Sequence, residues 1–221
     1  MMIVWGEGRG FRVAWLLEEL ELPYTLRPVD LLQDIRNDPE FLAINPGGFI
    51  PALQDGDMVM VESVAIMQYL LARHGPSPLA PEPHDPGFPD YLQFLLMGEA
   101  GLAGPSNAIS VSHLLAPEEE RGVTLERWAV ETFRSRLRLV TRQLGRAPFM
   151  AGDRFTAADI SVTYGLEHGQ RNGLDLGEPA RAYLARTTAR PAYARAMDHC
   201  VATKAWVASL AAQAAGETTN A

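Results

Sequence analysis

The chain has 221 residues, 47% of them apolar and 21% charged, and a formal net charge of −8. This is globular composition, long enough for one large domain or two modest ones, and an acidic surface repels phosphate backbones, which argues against nucleic acid as a partner. A single cysteine, Cys200, excludes an internal disulfide framework and a cysteine-based metal cluster, and the five scattered histidines show no ligand spacing, so no metal is expected.

The first residues, Met1-Met2-Ile3-Val4-Trp5, carry no basic region or cleavage site, and no run reaches the roughly 18–20 apolar residues that span a bilayer. A cytoplasmic location without a membrane partner is the expectation. Ile3 to Trp5 reads as a short buried strand stopped by Gly6. Val13, Leu16, Leu17 and Leu20 then recur at helical spacing, predicting a helix from Phe11 to Leu20 that ends before Pro23. Tyr24 to Val29 is compatible with a second strand, giving a βαβ unit with a right-handed crossover. After an irregular middle, Pro51–Gln54 and Met58–Val61 flank Asp55-Gly56-Asp57, a hairpin signal. Ser63 is placed to cap a helix running through Arg73, with Gly75 as its stop. The order β-α-β, irregular segment, β-β-α over residues 1–75 is that of an α/β thioredoxin-like domain.

Residues 76–89 hold six prolines between Pro76 and Pro89 and read as a linker. From 90 to 221 the patterns predict an all-α helical bundle. Asp90 to Glu99 is apolar and periodic, and a long amphipathic stretch runs from Pro117 to Leu144, opening on the acids Glu118, Glu119 and Glu120, which suit a first helical turn. Thr156 and Asp159 form a capping-box pattern with Phe155 and Ile160 at staple positions; it starts a buried helix to about His168 and is read as structural, not catalytic. Another helix covers Glu178 to Arg190, a further one follows Pro191, and the small-residue tail after Leu210 is expected to fray. Cys200 reads as a buried small hydrophobe.

Three places in the first domain suit a ligand. In Asn45-Pro46-Gly47-Gly48-Phe49-Ile50-Pro51-Ala52-Leu53, a proline directly before a strand makes Ile50–Pro51 a candidate cis bond. Such a bond turns the Ile50 N–H and C=O sideways, where a ligand with its own peptide backbone can pair; an ordinary turn is the alternative. Glu62-Ser63 opens a helix whose free amides, with the Ser63 hydroxyl, suit a carboxylate, while Glu62 suits an adjacent ammonium; the alternative is a plain serine cap beside a solvated acid. Gly6-Glu7-Gly8-Arg9-Gly10 lets backbone approach a ligand closely and supplies Arg9 as an anion partner; it lacks the spacing of a dinucleotide fingerprint and also fits a structural turn.

The segments Arg12–Leu20, Asn45–Leu53, Glu62-Ser63 and the box from Phe155 resemble, in order and spacing, the motifs of the glutathione S-transferase family, bacterial type, over roughly residues 2–205. The resemblance implies glutathione as co-substrate, a homodimer, and a site in the cleft of each subunit. It implies that Ile50 with cis Pro51 pairs with the cysteinyl backbone of glutathione and that Glu62 and Ser63 hold the γ-glutamyl head. Two departures stand out. Family members place a Tyr, Ser or Cys just after the first strand to stabilise the glutathione thiolate, whereas residues 6–10 here hold no hydroxyl and no thiol. Arg9 and the backbone N–H groups from Gly8 through Gly10 to Phe11 are the remaining donors, and Glu7 is expected to point away from the sulfur, since its charge would oppose ionisation. Phe49 stands where the family often has a lysine near the glycyl end.

The function that follows is attack of glutathione thiolate on a small apolar electrophile, in detoxification; the alternative is a glutathione- or ligand-binding protein of the same fold without turnover. Phe11, Met97, Leu102, Asn107, His113 and Tyr164 are the candidates for the acceptor pocket, with core packing the competing role for Met97 and Leu102.

Overall fold

The structure, a computed structural model, describes residues 1–30, 38–115 and 117–201. Its contacts divide it into two units, one of Met1–Met67 with the segment from Pro191, the other of Gln68–Arg190. The expected fraying tail after Leu210 lies outside the described residues.

In the first unit four strands form one mixed sheet in the order β2-β1-β3-β4: β1 (Met2–Trp5), β2 (Tyr24–Arg27), β3 (Ala52–Asp55) and β4 (Met58–Val61). β1 and β2 run parallel, so a crossover must join them, and α1 (Gly10–Glu19) supplies it. β3 runs antiparallel to both β1 and β4, and the β3–β4 turn is Gly56-Asp57 with Gly56 at φ +62°, the left-handed conformation that such a tight hairpin requires. The expected second strand stops at Arg27, before Pro28, which has no N–H to donate. The segment read as irregular contains a short helix, α2 (Pro39–Ile44), whose start is capped by Asp38 accepting from the Phe41 N–H at 2.9 Å. A six-residue helix with Pro at its first position leaves almost no periodicity to read.

The helix α1 is enclosed rather than one-sided. Every residue from Gly10 to Leu17 is buried, including Arg12, while Leu20, expected on the apolar face, is half-buried. One wall is α9 (Pro191–His199): Tyr193 meets the rings of Phe11 and Trp15 edge-on at 5.1 and 5.0 Å, and Arg195 donates to Glu18 at 2.7 Å. On the sheet, Trp5, Phe41 and Ala52 form a core with Ile3, Val29, Ile44, Ile50 and Val61 packed around it.

The helix α3 (Ser63–His74) begins with a correction. The Glu62 carbonyl accepts the first helical N–H, from Ile66 at 2.9 Å, so Glu62 occupies the capping position and Ser63 is the first helical residue.

The second unit is helical. From Phe88 to Leu115 the chain is α4 (Phe88–Met97), a π-helical turn (Gly98–Ala103) and α5 (Gly104–Leu115). Then come α6 (Thr124–Leu144), α7 (Ala157–Arg171) and α8 (Gly177–Thr188). The acids Glu118–Glu120 do not open the long helix as expected. They form a 3₁₀ turn, Gly122 takes φ +71°, and α6 starts two residues later. Glu126 fills the first-turn role: the Gly122 N–H, the Ser112 hydroxyl and His113 contact its carboxylate and hold it below the usual carboxylate range.

α7 crosses the π-helical turn in backbone contact. A Cβ on Gly165 would lie 2.7 Å from the Gly98 carbonyl and 2.6 Å from Leu102 Cβ, so glycine permits the crossing. The capping box at its start is formed, with Phe155 and Ile160 both buried. Asp159 accepts from the Thr156 N–H at 2.8 Å, the Met150 N–H at 2.9 Å and the Tyr183 hydroxyl at 2.8 Å. Cys200 is buried, as read.

Candidate functional site

Strand register brings the three ligand motifs together. Trp5 pairs with Ala52, and Ala52 pairs with Val61. The next residues beyond that row are Gly6, Pro51 and Glu62, so the glycine turn, the Ile50–Pro51 bond and the Glu62-Ser63 helix start converge at one end of the sheet. This is also the C-terminal end of the parallel pair β1–β2, where α/β sheets gather their ligands.

The Ile50–Pro51 bond is cis, as the sequence suggested. Ahead of it, Asn45 builds the loop: its Nδ2 donates to the Phe49 carbonyl at 2.6 Å, its Oδ1 accepts from the Gly47 N–H at 3.0 Å, and its carbonyl accepts from the Gly48 N–H at 3.1 Å. Asn45 is buried and Phe49 is exposed. The Asn45-Pro46-Gly47 spacing carried this information, because an asparagine two residues before glycine is an Asx-turn signal, yet the reading gave Asn45 no role.

The glycine turn packs directly on this loop. A Cβ on Gly6 would overlap Ile50, one on Gly8 would touch Ile50 Cδ1 at 3.4 Å, and one on Gly10 would lie 3.3 Å from Pro51 Cβ. Gly6 and Gly8 both take positive φ, +87° and +57°. The Gly10 and Phe11 amides already donate within the turn, to the Glu7 and Gly8 carbonyls at 2.9 and 3.0 Å. Arg9 is the half-buried cap residue of α1 and makes no side-chain capping bond. Glu7 is buried in the turn.

Glu62 is exposed and takes φ +72°, a conformation uncommon for a residue with a Cβ; Ser63 beside it is buried. Strain at this junction is an observation that points to function. At the same end of the sheet Arg27 is committed elsewhere. Its guanidinium stacks 4.5 Å from the centre of the Trp5 ring and binds Asp38 at 2.9 Å and Glu40 at 2.9 Å, holding the Asp38 carboxyl below its ordinary range.

The acceptor candidates have varied surroundings. Phe11 is core, against Trp15 and Tyr193. In the helical unit Leu102 is fully buried on Gly165, Met97 and Asn107 are half-buried, and His113 is exposed and bonded to Glu126 at 3.3 Å. Tyr164 is buried with its ring 6.1 Å from that of His168. His168 belongs to a polar cluster the reading missed: Ser110 Oγ lies 3.2 Å from its Nε2 and donates to Asn172 at 2.9 Å, and Asn172 donates to the Ser106 carbonyl at 3.2 Å. Ser106/Ser110 and His168/Asn172 are each four residues apart, which puts each pair on one helix face and was legible as spacing. A groove of about 800 Å³ in the same unit, between the proline-rich loop and residues 143–156, is lined by none of the predicted site residues. Among the described residues no group of side chains is arranged to hold a metal ion, and no helix is long and apolar enough to cross a membrane.

Comparison with known proteins gives a consistent result. Residues 10–78 match the glutathione S-transferase N-terminal domain. The chain is similar to glutathione S-transferase 3 of Zea mays, 34% identical over 159 residues and covering 68% of each protein. Among solved structures it is similar to a glutathione transferase of Methylococcus capsulatus (26% identity, TM-score 0.76, 90% of this chain and 98% of that one). It is likewise similar to the theta-class enzyme of Xanthomonas axonopodis pv. citri with glutathione bound (26% identity, TM-score 0.73, 88% and 96%). With the thioredoxin-like sheet, the helical unit and these matches in agreement, the chain belongs to the glutathione S-transferase family.

Proposed function

We propose that this glutathione transferase binds glutathione at the sheet end where the three motifs converge and activates its thiol for attack on a small apolar electrophile. The observation that carries the reading is strand register, which sets Pro51 at the head of β3 beside both the glycine turn and the Glu62-Ser63 helix start. In this reading the Ile50 backbone pairs with the cysteinyl residue of glutathione as a short antiparallel strand. The buried Ser63 hydroxyl and the first amides of α3 receive the γ-glutamyl carboxylate, and the exposed Glu62 carboxylate receives its ammonium. Phe49 borders the glycyl end.

The sulfur then lies toward the glycine turn. The Arg9 guanidinium and the Gly8 amide are the donors that favour thiolate over thiol, and Gly10 serves by leaving room beside Pro51. The thiolate attacks an electrophilic carbon, a carbon–sulfur bond forms, and the displaced group leaves with the electron pair. Support for conjugation chemistry comes from the family; support for Arg9 comes from its place at the start of α1 in a turn with no hydroxyl or thiol. Membership of this family also supports a cytoplasmic homodimer.

Ultraviolet titration of bound glutathione tests the assignment. Arg9→Ala is expected to raise the thiol pKa of bound glutathione with modest change in affinity, and Ser63→Ala to weaken binding with the pKa unchanged. Equal loss of affinity in both variants with no pKa change removes Arg9 from the thiolate role.

A further inference from the structure

In a chain of net charge −8, α6 is a basic element, with five arginines (127, 134, 136, 138 and 142) against two glutamates. Both glutamates are committed. Glu126 holds Ser112, His113 and the Gly122 N–H, and Glu131 pairs with Arg134 at 3.0 Å. Arg134, Arg138 and Arg142 follow one another at intervals of four and all are exposed, so each residue stands one turn along the helix from the last. Like charges at this spacing repel and oppose the helix, and acids at intervening turns would relieve them. Among the described residues no acid pairs with Arg136, Arg138 or Arg142.

These side chains border a groove of about 470 Å³ lined by Ser135, Arg136, Arg138, Leu139 and Arg142. Three arginines and a serine are among its five lining residues, and none of the five is acidic. Arg136 is seated: its Cγ lies where a Cβ on Gly101 would come within 2.7 Å, so the glycine of the π-helical turn gives the arginine stem its place. Arginine presents a planar fork of donors matched to oxyanions, and five lining residues on one helix offer contacts for a small anion. The protein's overall negative charge repels a long polyanion.

We propose that this groove on α6 is a binding site for a small multivalent oxyanion of the phosphate class, held by Arg136, Arg138 and Arg142 with Ser135. Calorimetric titration of the full chain with inorganic tripolyphosphate, at ionic strength fixed with sodium chloride, tests it. Saturable binding at one site per chain is expected, weakened about tenfold or more in Arg138→Gln and in Arg142→Gln. Arg127→Gln, on the same helix but outside the groove, is expected to bind as the wild type does. All three substitutions are at exposed positions, and circular dichroism of the unliganded variants checks that each folds. Absence of saturable binding overturns the proposal. So does an equal loss in Arg127→Gln, which would mark the general field of the helix, or saturable binding of a poly-glutamate peptide with none of tripolyphosphate, which would mark a protein-docking face.

Discussion

Gly6 and Ile50 interlock: a Cβ on Gly6 would lie 2.5 Å from Ile50 Cβ, and Gly6 itself sits at φ +87°. The turn that follows β1 and the loop that precedes β3 therefore fix each other, and the proposed sulfur and backbone subsites cannot move independently. Gly6→Ala faces both a left-handed backbone and an overlap with a branched side chain. The two effects together are expected to destabilise the protein by about 2–4 kcal/mol and to weaken glutathione binding. Denaturant unfolding checks this. In a double-mutant cycle with Ile50→Ala the part of the overlap made with Ile50 Cγ2 should be recovered, while the overlap with Ile50 Cβ and the backbone contribution remain; strict additivity would show that the two residues are not coupled.

At Glu62 stability and binding are expected to diverge. Its φ of +72° is one that glycine adopts without penalty, so Glu62→Gly relieves strain at the β4–α3 junction. Glycine also gains freedom in the unfolded chain, leaving a net stabilisation of about 0.5–1 kcal/mol. If the carboxylate anchors the glutathione ammonium, the same variant binds glutathione about tenfold more weakly. Thermal unfolding and calorimetry on one preparation read both quantities. Unchanged affinity would free Glu62 from the head-group role.

How much of this was legible before the structure depended on whether the signal was local. Ile50–Pro51, the Gly56 hairpin and the Thr156–Asp159 box each declare themselves within a few residues, and each stands as read. The start of α6 did not, because Glu118–Glu120 satisfy first-turn chemistry equally well in a 3₁₀ turn, and the choice was made by Gly122 at positive φ. The enclosure of α1 was also hidden. Its apolar stripe showed one face, but Phe11 and Trp15 on the other are covered by Tyr193, some 180 residues along the chain. For the site, the residue types were readable, whereas Asn45 as the organiser of the Phe49–Ile50 loop required seeing where its amide donates.

The crossing of α7 over the π-helical turn sets two effects of one methyl group against each other. Gly165→Ala gains about 1 kcal/mol of helix propensity in the middle of α7. The new Cβ would meet the Gly98 carbonyl at 2.7 Å and Leu102 Cβ at 2.6 Å, and both contacts are with backbone or its first carbon, which cannot rotate away. Separation of the helices costs about 1–3 kcal/mol, so the expected result is net destabilisation. Denaturant midpoints of the variant and the wild type decide it, and a more stable variant would show that the crossing has slack.

Asp159 makes stability depend on pH in an unusual direction. The carboxyl is fully buried, and burial pushes its pKa up to about 6 despite the hydrogen bonds from Met150, Thr156 and Tyr183, which favour the ionised form. In the unfolded chain an aspartate titrates near its ordinary value of about 4. Between about pH 4 and about pH 6 the folded state therefore retains a proton that the unfolded state has released, and linkage makes this group's contribution fall as pH rises through that window, then level off. Two pKa units correspond to about 3 kcal/mol. Asp38, Glu126 and Asp175, whose carboxyls are held low, act in the opposite sense at more acid pH, so the Asp159 contribution is isolated by difference. Asp159→Asn cannot ionise and turns an amide donor toward groups that are themselves donors, so it is expected to be less stable than the wild type throughout. The gap between the two should narrow by about 2 kcal/mol from pH 4 to pH 6.5 as the wild type loses its proton. Urea unfolding at a series of pH values measures that gap, and a gap that stays constant would mean that Asp159 titrates at the same pH whether the chain is folded or unfolded.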